Sequence, residues 1–345
     1  MGTNLAPIVD RETISIKTLG GRTLAFDGNS ELYQFLAVIR LPDGRHLTDP
    51  WGRPTSHLAG LAFRTTRLIQ EYNIKPVFVF DGKPPEQKKD EIDRRRALRE
   101  KALEEYHTAL SIGDYKKAFS KAVVTSKLTK EMVEDAKHLL TLLGVPWVQA
   151  PSEGEAQAAY MAIKGDVWGV CSKDYDTLLF GAPRLVRYLT FTGKEYFPSR
   201  GELKPLKPEI IELPKILGRL GITREQLVEI AILIGTDYNQ GVRGVGAKNA
   251  LQLIKKYGKI ECLPKNMFAE PLEKKDVEKI KKLFLSPTTT DNYTTKFGNL
   301  DEEGLYKFLC DKKGFSQKRV DLLVERMKKF YSTNRATLQD WVAQN

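Results

Sequence analysis

Residues 146–176 read PWVQAPSEGEAQAAYMAIKGDVWGVCSKDYD. A short apolar run, PWVQA (146–150), gives way to a helical pattern, EGEAQAAYMAIK (153–164), and then to a second apolar run, VWGVCS (167–172). Strand, helix and strand in succession predict two parallel strands joined by a crossover helix. The same pattern extends towards the N-terminus. TLAFD (23–27) reads as a strand, followed by SELYQFLAVIR (30–40), whose Leu32, Phe35, Leu36 and Ile39 recur at helical spacing. Ser30 is the expected N-cap of that helix. TSHLAGLAFRTTRLIQEYN (55–73) reads as a longer helix and KPVFVFD (75–81) as a strand buried on both faces. The alternation implies a parallel, doubly wound α/β sheet.

At 345 residues the chain suits one large domain or two ordinary ones. Hydrophobic residues at 41% and charged residues at 29% supply a sizeable core and exclude a wholly disordered chain. No apolar run approaches the length of a membrane span. Cys171, Cys262 and Cys310 are widely spaced and form no CxxC pair, against a disulfide framework or a zinc site. The N-terminus lacks a signal-peptide pattern. Together these predict a soluble intracellular protein, in the cytoplasm or nucleoid, or the nucleus of a eukaryote. Lys+Arg 55 against Asp+Glu 44 gives a net charge of +11, which points to a polyanionic partner.

Two regions depart from the strand–helix rhythm. Residues 84–127 are charge-dense with no strand signal; between Lys83 and Glu105, eight basic and seven acidic side chains nearly cancel. Beyond about residue 209 the chain reads as mostly helical. From Arg243 to Lys282, eleven basic and five acidic residues give +6, more than half of the net charge.

The acidic residues carry the strongest signal. Asp27 and Asp81 each close an apolar strand, Glu153 and Glu155 open the helix after PWVQA, and Asp174 and Asp176 follow VWGVCS. Asp237 follows the apolar run IAILI and is read as a fifth strand-end site. Carboxyl ends of parallel strands share one edge, where ligands bind. Two like charges about 4 Å apart repel by roughly 4 kcal/mol at an effective dielectric of about 20. Seven gathered carboxylates therefore take up protons or bind cations. Oxygen-only donors favour Mg²⁺ or Mn²⁺, and two such ions form the arrangement that hydrolyses phosphodiesters. Glu153 and Glu155, two apart, cannot face the same way on a regular helix, so they belong to its first turn or divide the task. No GxSxG elbow supports a serine nucleophile.

The turn GVRGVGAKNALQLIKKYG (241–258) fails the P-loop pattern because Ala247, not Lys, follows Gly246. It reads as a hairpin between two helices, with backbone N–H groups near Gly244 and Gly246 open to phosphate. Lys248 and Lys255, with Lys256 and Lys259, extend positive charge along the next helix.

AFDGN, VFDGKPP, APSEGEAQAA, SKDYDTLLFG and GTDYNQGVRGVGAKNA, in this order, resemble the flap endonucleases among the structure-specific 5′ nucleases, and the compact tail resembles the archaeal type. The resemblance covers nearly the whole chain. It implies a mixed, largely parallel sheet with helices on both faces, a helical arch or cap, and a helix–hairpin–helix element. It also implies Mg²⁺-dependent cutting of 5′ single-stranded DNA flaps near the duplex junction, in replication and repair. The family's metal ligands fall on Asp27, Asp81, Glu153, Glu155, Asp174, Asp176 and Asp237. Lys88 and Arg95 resemble its cationic pair at the arch base, and Tyr33 its base-stacking aromatic. Two Mg²⁺ ions are implied, with Mn²⁺ as a substitute and K⁺ at the helix–hairpin–helix.

The resemblance divides the chain into an N-terminal nuclease region (1–100), an arch (84–127), an internal nuclease region (128–258, with helix–hairpin–helix at 241–258), a C-terminal helical region (259–331) and a tail (332–345). Family tails carry a sliding-clamp segment, Q-x-x-L-x-x-F-F. Here that register holds Arg335, Leu338, Trp341 and Val342, leaving Leu338 and Trp341 as apolar anchors. The expected partners are branched or flapped DNA and a sliding clamp, with no membrane, and the chain is expected to be monomeric. A related 5′→3′ exonuclease or junction resolvase would share the carboxylates. A catalytically silent DNA-binding scaffold is disfavoured by seven acids beside phosphate, and a small-molecule phosphatase by the extended basic segment.

Overall fold

Among the described residues of the computed structural model there are nine short strands: β1 (Glu12–Thr13), β2 (Thr23–Asp27), β3 (Lys75–Phe80), β4 (Trp147–Gln149), β5 (Gly169–Cys171), β6 (Arg184–Arg187), β7 (Glu195–Phe197), β8 (Glu202–Lys204) and β9 (Glu209–Glu212). The structure describes the backbone at residues 2–190, 195–197, 202–204, 206–264, 267–268 and 273–344, and the side chains of these except 195–197, 202–204 and 334–344. Seven strands form one sheet in the order β1-β9-β6-β5-β2-β3-β4, while β7 and β8 pair separately. The pairs from β4 to β6 are parallel, and β9 runs antiparallel to both β6 and β1. The sheet is thus mixed and largely parallel.

Alternation along the strands divides the core in two. Ala25, Val77, Val79, Val170 and Leu185 face one layer. That layer holds α6 (Gly154–Lys164), α7 (Asp176–Leu179), α8 (Leu213–Leu220), α9 (Arg224–Ile234), α10 (Ala247–Tyr257) and α11 (Lys274–Leu285). Leu24, Phe26, Phe78, Phe80, Cys171 and Val186 face the other. There lie α1 (Gly28–Val38), α2 (Ser56–Tyr72), α5 (Lys130–Leu142), α12 (Glu302–Tyr306) and α13 (Gln317–Gln344). Small and β-branched side chains on the first face let α6 approach closely, whereas Phe26 and Phe78 fill the second with ring centroids 5.3 Å apart. Among the described residues no helix is long and apolar enough to cross a membrane.

Residues 84–127 fold into a helical hairpin, α3 (Lys89–Ser111) and α4 (Tyr115–Thr125). On α3 only Ala102 and Ala109 are buried, and on α4 only Ala118 and Ala122. The hairpin is therefore joined by a narrow alanine seam, with a Lys121–Glu105 ion pair across it.

Two local expectations are corrected. Asp27, not Ser30, caps α1, its Oδ1 accepting from the Ser30 N–H at 3.0 Å. A carboxylate at the strand end reaches the first free N–H groups of the helix, so one residue closes the strand and opens the helix. IAILI is not a strand but the last turns of α9. That helix starts with a capping box between Thr223 and Gln226, and from Leu227 to Leu233 every residue is buried, Glu229 being paired with Lys281.

Candidate active site

The carboxyl edge of the sheet collects six acids, and the turn after α9 brings the seventh. Asp27 ends β2, and Asp81 follows the adjacent strand β3. Glu153 is the N-cap of α6 and Glu155 lies in its first turn. Asp174 lies between β5 and α7, and Asp176 opens α7. Asp237 stands in a turn fixed by Asn239, whose Oδ1 accepts from the Thr236 hydroxyl at 2.8 Å and whose amide donates to the Ile232 carbonyl at 2.8 Å.

Burial and neighbouring charge raise the pKa of several of these acids. Burial pushes Asp27 well above the ordinary carboxylate range, and the neighbouring charges of Asp81 and Asp174 push it further. Burial does the same to Glu155, reinforced by Asp174, Asp27 and Asp176. Asp176 is pushed up to about 6 by burial and then by Asp174. Glu153 is raised by burial, with Lys88 opposing and Asp81 and Asp237 adding to the rise. The charges of Asp174 and Asp237 thus act on buried neighbours from two different segments of the chain.

Two cations from the arch base stand among them. Lys88 Nζ lies 2.6 Å from Glu153 and 3.5 Å from Asp237. Arg95 donates to Asp237 at 2.8 Å and to Glu91 at 2.6 Å. Burial works against the charge on Lys88, yet Glu153, Asp237 and Asp81 hold its pKa above the ordinary lysine range. Among the described residues no three His, Cys, Asp or Glu side chains are arranged to enclose an ion as they stand. Lys88 and Arg95 occupy the space beside Glu153 and Asp237, doing in part what a divalent cation would do. The donor set still fits a hard cation: the groups are oxygen acids, and their mutual repulsion favours added positive charge.

The division of labour between Glu153 and Glu155 follows from their spacing. Glu153 turns to Lys88, while Glu155 Oε1 accepts from Ser172 at 2.7 Å and Thr177 at 3.0 Å. Asp81 accepts from the Gly154 N–H at 2.7 Å, and a Cβ at Gly154 would lie 2.9 Å from Asp81 Oδ1. A larger residue there would push the Asp81 carboxylate aside.

Several partners were not legible in the sequence. The Gly2 N–H donates to Asp174 at 3.1 Å and the Thr3 N–H to Asp176 at 2.8 Å. A Cβ at Gly2 would meet the Asp176 carboxyl at 2.8 Å. Ser172 and Thr177 flank the acids and were available as a local signal. Tyr33 holds the hairpin rather than standing free: its hydroxyl donates to the Ser126 carbonyl at 2.6 Å and accepts from Arg99 at 2.9 Å. A cleft of about 340 Å³ opens beside Glu153, lined in part by Gln87, Tyr238, Lys279 and Lys282.

The basic turn lies between α9 and α10, as a helix–hairpin–helix requires. Gly244 has φ 83° and Gly246 is the N-cap of α10, and neither has an atom near its absent Cβ. Lys248 and Lys255 are exposed on α10. The side chains of Leu338 and Trp341 lie outside the described residues.

Fold and acid cluster together define a nuclease of the XPG type. Residues 3–102 match the XPG N-terminal domain and residues 144–237 the XPG I-region. The chain is 47% identical over 345 residues to flap endonuclease 1 of Pyrococcus furiosus, covering 99% of each chain. It is 45% identical over 341 residues to that of Methanosarcina barkeri, covering 99% of this chain and all of the relative. Its fold is similar to the solved flap endonuclease-1 from Methanococcus jannaschii, with TM-score 0.76, 40% identity, and coverage of 96% of this chain and 100% of the other. The chain belongs to the flap endonuclease family.

Proposed function

We propose that the chain is a structure-specific nuclease that hydrolyses 5′ single-stranded DNA flaps near their duplex junction, in Okazaki-fragment processing and repair, with accompanying 5′→3′ exonuclease action. The observation that carries this reading is the set of seven acids, coupled through burial and repulsion, with Lys88 and Arg95 reaching them from the hairpin base.

When bound, two Mg²⁺ ions, with Mn²⁺ as a substitute, supply Lewis-acid activation of water and charge compensation at the leaving oxygen. Asp27, Asp81, Glu153, Glu155, Asp174, Asp176 and Asp237 would hold these ions between them. Lys88 and Arg95, which reach Glu153 and Asp237 from the hairpin base, would stand beside the scissile phosphate, where fixed cations stabilise developing negative charge. Gly2 and Thr3 hold Asp174 and Asp176 in place through their N–H groups. Tyr33 offers its ring to a base beside the cut, and the hairpin of α3 and α4 admits the single strand. The turn at Gly244 and Gly246, with Lys248 and Lys255, grips duplex phosphates, and a K⁺ ion suits its open backbone.

The protein would act as an intracellular monomer. Leu338 and Trp341 are proposed as anchors in a sliding-clamp pocket.

The deciding experiment is chelation followed by Mg²⁺ addition on an end-labelled 5′ flap, beside a nicked duplex and a four-way junction. Flap cleavage that stops with chelation and returns with Mg²⁺ is expected. Preference for the junction would make the enzyme a resolvase, and cutting without metal would refute the reading.

A further inference from the structure

Arg187 closes β6 beneath the loop that presents Asp174 and Asp176, and its side chain is only 9% exposed. The guanidinium lies between two rings, 4.5 Å from the centroid of Tyr175 and 4.6 Å from that of Tyr188. Its Nε donates to the Lys173 carbonyl at 3.0 Å. One terminal nitrogen donates to the Tyr175 hydroxyl at 2.9 Å and to Glu209 on β9 at 3.3 Å; the other donates to the Tyr188 hydroxyl at 2.7 Å. Tyr188 adopts φ 61°, a left-handed conformation that is costly for an aromatic residue. Stacking on Arg187 and the hydroxyl bond help to hold it there.

Lys173 and Tyr175 are the chain neighbours of Asp174, and Tyr175 directly precedes Asp176. Arg187 therefore holds the backbone on one side of Asp174 and a side chain between the two acids. Gly2 and Thr3 hold the carboxylates themselves from another part of the chain. The clamp matters because the loop carries two carboxylates only two residues apart, and like charges held this close repel. A planar fork of five N–H donors suits this task, whereas a lysine has no such fork.

We propose that Arg187 is a positioning residue that fixes, through the Lys173 carbonyl and Tyr175, the geometry in which Asp174 and Asp176 receive a divalent cation. It touches neither substrate nor metal. This rests on the metal-dependent reading above, and concerns a residue that lies outside the acid cluster.

The test uses the full chain with Arg187→Lys, which keeps the charge, and Tyr175→Phe, which keeps the ring and loses one bond. Mn²⁺ binding is measured by electron paramagnetic resonance without DNA, alongside the Mg²⁺ dependence of flap cleavage, flap affinity in EDTA and thermal unfolding. Loss of such an outer partner is expected to weaken Mn²⁺ binding by about tenfold in Arg187→Lys. Tyr175→Phe should shift it less, in the same direction. Flap affinity in EDTA should stay at the wild-type value, and excess Mg²⁺ should restore most of the cleavage. Wild-type Mn²⁺ affinity in a folded Arg187→Lys would show that charge alone matters and overturn the proposal. If Arg187→Lys does not fold, Tyr175→Phe decides, and unchanged Mn²⁺ affinity there overturns it. Failure of the wild-type protein to bind Mn²⁺ would instead overturn the metal-dependent reading, and this proposal with it.

Discussion

Replacing Asp176 by Asn should stabilise the metal-free protein at neutral pH while abolishing its activity. Asp176 is 5% exposed, and burial and the neighbouring Asp174 push its pKa from 3.8 up to about 6. The native state therefore holds this proton more tightly than the unfolded chain. Stability falls as pH rises between about 4 and 6, and the cost is complete above that window. A rise of this size corresponds to about 3 kcal/mol at ~1.4 kcal/mol per pKa unit. Asparagine keeps an oxygen to accept from the Thr3 N–H at 2.8 Å and removes the charge. In EDTA at pH 7.5 the variant should unfold about 5 °C above wild type, the shift expected of ~3 kcal/mol in a large domain. The difference should fade as pH falls towards 4. Added Mg²⁺ should raise the wild-type unfolding temperature more than that of the variant, because ligand binding to the native state stabilises it. Differential scanning calorimetry at three pH values, with and without Mg²⁺, measures both effects. A variant no more stable than wild type in EDTA at pH 7.5 would refute the claim that repulsion among buried acids strains the empty site.

Lys88→Met should lower single-turnover cleavage by about 10²–10³, the cost of losing a fixed charge aimed at the transition state. Flap affinity in EDTA should be retained, and an undiminished rate would remove Lys88 from the chemistry. Neutralising Lys248 and Lys255 together should reduce the slope of log affinity against log salt by about 1.8, at roughly 0.9 per lost phosphate contact. An unchanged slope would mean that duplex DNA is held elsewhere. Tyr33→Phe keeps the ring but removes the bonds to Ser126 and Arg99, so hydrogen exchange should quicken at the hairpin base. Equal exchange in the two proteins would show that Tyr33 does not tether the hairpin.

The alternation of strand and helix was legible because periodicity is local: the side chains of KPVFVF and VWGVCS need only their own neighbours to declare a buried strand. The acids were legible for a related reason. A carboxylate at a strand end is marked by the strand itself, and five such marks in one order exceed what turns require. The same rule misplaced Asp237, since IAILI is apolar through all-round burial of a helix, and a short apolar run does not distinguish the two. Ser30 was similarly outranked by Asp27, because cap strength depends on where the strand delivers the side chain.

By itself, the sequence determined the fold class, the succession of β2, α1, α2, β3, β4, α6 and β5, and the concentration of positive charge after Arg243; β1, β6 and the antiparallel β9 it did not announce. Tertiary structure alone decided how the seven acids are held. Gly2 and Thr3 reach acids more than 170 residues away, and Lys88 crosses 65 residues to Glu153. Arg187 acts on a neighbouring segment through a stacked fork that its position at the end of a strand does not announce. Covalent spacing governs periodicity and capping, whereas the field at each carboxylate sums over every charge and dipole within a few ångströms. That sum exists only once the chain has closed.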